Sequence, residues 1–261
     1  MPESSLVALN LRSALSAYAN ATAGGVTAAL PGMGLVDSGV PFAVFNAAVL
    51  SDLVSREQFS ELLDQAGFFY EQRRTPWSCW YCPDHVQGES QSAVERVLFR
   101  RGLRLSNRHT GMYADGLNAP GRFLPDLAVV RVQDGPTRRD FISVCLSSFG
   151  LPARIAMLVY GADRFWRGGW TAWVGYDTQD RPVTMAATDT SAGVVGVYCV
   201  GTVPEARGRG YAETITRRAI DAALRQTTAR ALIVQSTPAG LGLYRRMGFR
   251  PVGEFAVFVK D

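Results

Sequence analysis

The stretch Val200–Glu213, VGTVPEARGRGYAE, decides how the rest of the chain is read. A β-branched apolar run ends at Val203, a proline follows, and Gly208 and Gly210 stand beside Arg207 and Arg209. A helical pattern begins at once, with Ala212, Ile215, Ala219, Ile220, Ala223 and Leu224 recurring on one face. The stretch therefore reads as strand, turn and helix. A glycine-rich turn feeding a helix leaves backbone N–H groups free at the positive end of the helix dipole, so its natural guest is an anion, and phosphate first of all.

Two familiar phosphate loops do not fit. The dinucleotide fingerprint needs a third glycine where Glu213 stands, and a bulky acid there blocks close packing of helix on strand. The ATP-binding P-loop ends in Gly-Lys-Ser/Thr, and no lysine lies nearby. An ordinary strand-to-helix turn accounts for one glycine, but less easily for Pro204, Arg207, Gly208 and Gly210 together.

Working outward, residues 126–261 form a regular series. It runs strand LAVVRVQ, helix PTRRDFISVCLSSFG, a helical stretch with aromatics to about Trp166, strand TAWVGYD, turn TQDRP, and strands VTMAATDT and GVVGVYCVGTV. After the helix come strand ALIVQ, a short helix over 241–247 and the alternating strand PVGEFAVFV. Residues 1–125 differ in texture. Helical patterns lie near 4–19, 56–74 and 90–101, a strand near 77–81, and AGGVTAALPGMG and GLNAPGRF read as Gly/Pro-rich connections. Strands joined partly by short loops and partly by helices predict a mixed α/β sheet, and the change in texture predicts two domains, 1–125 and 126–261. One echo links them: LFRRGLR at 98–104 resembles LYRRMGFR at 243–250, with Phe99 where Tyr244 stands. Chance explains so short an echo as well as ancestry does; under ancestry the first half is a worn copy of the second.

Composition bounds the function. With 47% hydrophobic and 19% charged residues, and no apolar run near 20 residues, the chain reads as a soluble globular protein, not a membrane one. The N-terminus lacks a basic region before its apolar stretch, which predicts a cytoplasmic location. The net charge of +4 is scattered among 23 acidic residues, which argues against nucleic acid as the partner. Cys79 and Cys82 in CWYC have no second pair or histidines at ligand spacing, since Cys145, Cys199, His85 and His109 are isolated. They read as thiols on an aromatic strand, with no metal.

The stretch VGTVPEARGRGYAE resembles the signature of the GNAT superfamily of N-acyltransferases, [QR]-x-x-G-x-[GA] after the fourth strand, with Arg207, Gly210 and Ala212 at the defining positions. A second stretch, STPAGLGLYRRMGF, is similar to that family's N-x-x-A-x-x-L-Y-x-x-x-G-F through Leu243, Tyr244, Gly248 and Phe249, with Thr237 and Gly240 replacing the asparagine and alanine. More loosely, PFAVFN at 41–46 and TPWSCWYCP at 75–83 look like a bacterial two-part subgroup in which a degenerate GNAT-like half precedes the working one. The resemblance implies a mostly antiparallel mixed sheet with helices on both faces, in two GNAT-like halves. It also implies acetyl-CoA as co-substrate, its pyrophosphate on the backbone of Arg207, Gly208, Arg209, Gly210, Tyr211, Ala212 and Glu213. A diphosphate wants such convergent donors.

Further roles come with the resemblance. The acyl group lies where the fourth and fifth strands splay, which maps to Val200, Gly201 and Thr202; Gly201 suits the bulge or close approach that a splay needs. Tyr244 is the implied general acid that protonates the departing CoA sulfur, against a plain core aromatic. By residue type Asp189, Tyr198, Glu205 and Glu71 can each serve as general base, and none is assigned. The acceptor pocket is expected between the halves, with Phe68, Phe69, Tyr70, Trp77 and Trp80 either lining it or forming core. The predicted activity is acetyl transfer to a primary amine, with a small molecule as first acceptor. The alternatives are a non-catalytic acetyl-CoA-binding protein, or a GNAT-fold enzyme using another acyl-CoA or a protein amine. The sequence shows no dedicated interface, so oligomeric state is open.

Overall fold

Three helices begin where a short polar side chain turns back on the backbone. Ser55 and Asp134 close capping boxes with Gln58 and Thr137, and the Ser90 hydroxyl accepts from the Ala93 N–H. In the computed structural model, which describes all residues 1–261, these helices are α2 (Arg56–Arg73), α3 (Gln91–Arg100) and α4 (Gly135–Phe149). The other helices are α1 (Glu3–Ser16), α5 (Ala153–Tyr160), α6 (Tyr211–Leu224) and α7 (Leu241–Met247). Strands β1 (Val26–Leu30), β2 (Met33–Asp37), β3 (Ala47–Leu50), β4 (Trp77–Tyr81) and β5 (Arg104–Ala114) belong to the first 125 residues. The remainder carries β6 (Ala128–Arg131), β7 (Thr171–Tyr176), β8 (Pro182–Asp189), β9 (Val194–Thr202), β10 (Ala231–Ser236) and β11 (Arg250–Lys260).

All eleven strands join one open sheet in the order β1-β2-β3-β4-β11-β5-β10-β9-β8-β7-β6. Only β3/β4 and β9/β10 pair in parallel; every other pairing is antiparallel. The two long central strands are exchanged across the middle. The C-terminal β11 pairs with β4 of the first half, and β5 of the first half pairs with β10. The echoed segments, LFRRGLR and LYRRMGFR, occupy matching places: each ends a helix and leads into one of these 11-residue strands, and the two strands pair with each other.

Alternation along the strands sends side chains to opposite faces. On one face α1, α4 and α5 cover a single core that includes Val7, Leu11, Phe141, Val159, Val194 and Phe255. On the other, α2 and α3 pack over β2–β4 and β11, and α6 and α7 over β5, β9 and β10. The first helix of the chain thus shares its core with the helices of the second half. No helix is long and apolar enough to cross a membrane.

The sheet corrects the reading of AGGVTAALPGMG as a connection. Val26–Leu30 and Met33–Asp37 form a hairpin about Pro31 and Gly32, the latter at φ +86, so the Pro-Gly pair is its turn. The strand β1 is an edge strand with mostly exposed side chains, which removes the apolar alternation a sequence reading needs. The strands β3 and β5 also go beyond that reading. In β5 the first residues, RLSN, are exposed, and its pairing on both sides comes from β10 and β11, far along the chain.

Candidate functional site

Strands β9 and β10 pair in parallel over only four residues, Val194–Val197 against Ala231–Val234. Beyond Tyr198 and Gln235 they part, opening a gap whose walls are the last residues of each strand. On its other side β9 pairs with β8, and there the register slips: Met185 faces Gly201 and Ala187 faces Tyr198, so β9 carries one residue more than its partner. The bulge centres on Cys199, whose φ of +49 is rare for a side-chain-bearing residue in a strand. The expected irregularity is present, but Cys199 and Val200 make it. Gly201 serves a close approach: a Cβ there would lie 2.9 Å from both Cβ and Oγ of Ser148 near the end of α4. Thr184 on β8 steadies this end of β9, its hydroxyl donating to the Gly201 carbonyl at 2.8 Å and sharing a hydrogen bond of 2.9 Å with Thr202.

The loop after β9 enters α6 through two left-handed glycines, Gly208 at φ +77 and Gly210 at φ +95. Gly210 is the N-cap and has no side chain to satisfy the helix start. None of the six N–H groups from Gly208 to Glu213 finds an acceptor in the chain; the first helical bond is that of Thr214 to the Gly210 carbonyl. Six consecutive unpaired donors at a helix N-terminus form a concave anion cradle. Arg207 contributes differently. Its N–H goes to the Pro204 carbonyl, and its guanidinium donates to the carbonyls of Thr202 at 3.1 Å and Ser148 at 3.4 Å, pinning the loop to β9 and α4. The Arg209 guanidinium reaches back to the Glu205 carbonyl. The Glu213 side chain is buried, and Arg217 takes one of its oxygens at 3.0 and 2.9 Å.

Tyr244 stands on α7 on the β10 side of the gap, nearly buried and edge-on to Phe249. Burial, and secondarily the nearby Cys199 thiol, raise its phenol well above the ordinary value, so it holds its proton through the neutral range. Burial likewise pushes Cys199 up to about 11. The hydroxyl of Tyr160 lies 3.8 Å from its sulfur. At the two substituted positions of the second motif, the Thr237 carbonyl and hydroxyl both receive the Gly240 N–H, and a methyl on Gly240 would come within 3.2 Å of the Tyr244 ring.

An aromatic cluster that sequence reading did not single out occupies the junction of the two halves beside the bulge. Tyr18, just after α1, stacks on Phe165 and meets Phe45, Trp170 and Tyr160, whose hydroxyl is 3.3 Å from its own. Trp170 stacks on Tyr198, and the Tyr198 hydroxyl donates to Asn10 Oδ1 at 2.6 Å. Asn10 in turn donates to Asp189 Oδ1 and the Ser191 carbonyl. The density of aromatics in RFWRGGW is the one signal that marks this cluster in the sequence. The aromatics of α2 and β4 lie elsewhere: Tyr70 and Trp77 stack in the core under α2, Trp80 stacks on His109, and Phe68 is exposed. Of the carboxylates considered as bases, Glu71 is on the outer face of α2, Glu205 is exposed before the loop, and Asp189 is bound by Asn10 and Ser191. Cys79 and Cys82 are buried free thiols, each pushed up to about 12 by desolvation.

Residues 163–258 match the family model described as an acetyltransferase (GNAT) domain. Among solved structures, the chain is similar to a GCN5-related N-acetyltransferase from Kribbella flavida at 16% identity and TM-score 0.67, covering 95% of each chain. A GCN5-related N-acetyltransferase from Sphaerobacter thermophilus matches at 15% identity and TM-score 0.59, over 88% of this chain and 76% of that one. A tandem GNAT protein from the clavulanic acid biosynthesis pathway matches at 13% identity and TM-score 0.56, over 87% and 78%. These likenesses are of fold. A search of curated proteins finds no match.

Proposed function

We propose that this chain, whose residues 163–258 match the GNAT acetyltransferase domain, transfers an acetyl group from acetyl-CoA to a primary amine of a small molecule. The observation that carries this reading is the six unpaired N–H donors of the 208–213 loop, set beside a gap between two parallel strands. A diphosphate on the loop leads the pantetheine arm into the gap, where its amides can pair with strand backbone that β9 and β10 no longer give each other.

In this reading the thioester carbonyl lies against the backbone of Val200, Gly201 and Thr202, and a fixed N–H there stabilises the oxyanion as the amine attacks. The acyl carbon gains its bond to nitrogen and loses its bond to sulfur, and the thiolate takes a proton. Tyr244 supplies that proton: its buried phenol is neutral at working pH and borders the gap. We assign no general base, since Tyr198 and Asp189 are both engaged by Asn10. Residues 126–261 carry the donor site and residues 1–125 shape the acceptor side, where Tyr18 and Asn10 reach the partners of the bulge. The use of acetyl-CoA goes with a cytoplasmic location.

The test is a thermal-shift titration with acetyl-CoA, CoA and longer acyl-CoAs, using ATP and NAD as controls. A ligand at ~100 times its Kd should stabilise by about 2.7 kcal/mol and raise the melting temperature by several degrees. Stabilisation by CoA species alone supports the reading, and a thiol-release assay over an amine library then identifies the acceptor. No stabilisation by any CoA species overturns it.

A further inference from the structure

We propose that Arg122, on the segment joining β5 to β6, is a side-chain ligand for the same diphosphate that the 208–213 loop holds; this rests on the assignment of that loop to CoA. The segment is fastened across the second half's helices. The Asn118 N–H donates to the Met247 carbonyl at 2.9 Å, closing the end of α7, and the Asn118 carbonyl accepts from Arg217 at 2.7 Å. A few residues on, the chain lies directly over the loop: a Cβ on Gly210 would stand 3.0 Å from Pro125 Cδ and 3.5 Å from a terminal nitrogen of Arg122. The connecting segment of the first half thus forms one wall of the cradle.

The charge of Arg122 is largely unspent. Its nearest anion is Glu213, with Nε 3.8 Å from Oε2, and that carboxylate is already held by two nitrogens of Arg217. The Arg122 side chain is about half exposed, at 47%, so it can swing toward a ligand without breaking a hydrogen bond. Six unpaired N–H groups supply directional donors but no full charge, whereas a diphosphate brings about two negative charges. A guanidinium adds both charge and a planar pair of donors suited to phosphate oxygens. Donor binding then depends on a residue of the segment that precedes the GNAT domain.

The experiment is calorimetric binding of acetyl-CoA and acetyl-dephospho-CoA to the full chain, comparing wild type, R122A and R122K, each also in an E213Q background. The expected result is an affinity loss of about tenfold for R122A with both ligands, since both keep the diphosphate, with partial recovery in R122K. The loss persists in E213Q, because Arg122 acts on the ligand and not through Glu213. Three results overturn the proposal: unchanged affinity in R122A, a loss confined to the ligand bearing the 3′-phosphate, or a loss that vanishes in E213Q. If the wild type binds neither ligand, the CoA reading itself falls, which is a separate outcome from wild-type binding that R122A leaves intact.

Discussion

Replacing Gly208 with alanine separates backbone conformation from steric contact. Gly208 has φ +77, and no atom lies within 4 Å of the position its Cβ would take, so a methyl meets only open space. What remains is the left-handed backbone, which costs a side-chain-bearing residue roughly 1–2 kcal/mol. If the free loop relaxes to a right-handed turn, the N–H donors splay, and acetyl-CoA must restore the left-handed form on binding. The expected loss of affinity is therefore about 5- to 30-fold. At Gly210, φ is +95 and the added Cβ would also sit 3.0 Å from Pro125, so the connecting segment must shift. Overpacking of that kind adds about 1–3 kcal/mol, and Gly210→Ala should bind more weakly than Gly208→Ala. The space beside Gly210 is taken by Pro125 and Arg122. Isothermal calorimetry with acetyl-CoA, paired with melting curves of the free proteins, measures both variants. Wild-type affinity and wild-type melting temperature in Gly208→Ala would refute the reasoning, because the donors would then not depend on the glycine conformation.

Tyr244→Phe keeps the ring and its packing against Phe249 but removes the hydroxyl proposed as general acid, so turnover should fall by about 10²-fold or more while the KM for acetyl-CoA holds, read by steady-state thiol release. Asn10→Ala leaves the Tyr198 hydroxyl without its acceptor and takes one donor from Asp189, which keeps Ser191, a loss of about 2 kcal/mol that should lower the melting temperature by about 4–8 °C. The buried thiols predict an alkaline weakening. Desolvation raises Cys199 to about 11 and Cys79 and Cys82 to about 12 in the folded state, above the ordinary thiol value. Their contribution is complete below the unfolded thiol pKa, near 8.5, and is lost progressively as pH rises through the folded values. Denaturant midpoints should hold from pH 7 to 8 and decline above pH 9, with a shallower decline in Cys199→Ala; equal slopes in both proteins would contradict this.

Local pattern was enough for many elements of both halves. The helical period of α6, the alternation in β11 and the caps at Ser55, Ser90 and Asp134 depend on contacts within a few residues, and such contacts are written in the order of side chains. The same holds for the anion cradle at 208–213, because a strand, two glycines and a helix are consecutive and their free N–H groups follow from backbone geometry. The strand β1, with exposed side chains, and β5, polar in its first half, lacked that signal. Their place is set by neighbours on the sheet: β1 pairs with β2 alone, and the polar β5 is held by β10 and β11 on its two edges.

The exchange of β5 and β11 could only be decided in three dimensions. Each is an 11-residue strand following a helix, each can pair on either side, and local sequence is indifferent to which of two similar edges a strand joins. The same is true of Cys199 at the bulge, of Tyr18 and Asn10 reaching the bulge's neighbours from the first helix, and of Arg122 lying over Gly210. The sequence by itself determined most of the elements and the free N–H groups of the 208–213 loop. Which groups surround that loop and the neighbouring gap was settled by packing, since those groups are 88 to 188 residues apart along the chain, from Arg122 and Gly210 to Asn10 and Tyr198, and meet only when the sheet has closed the distance.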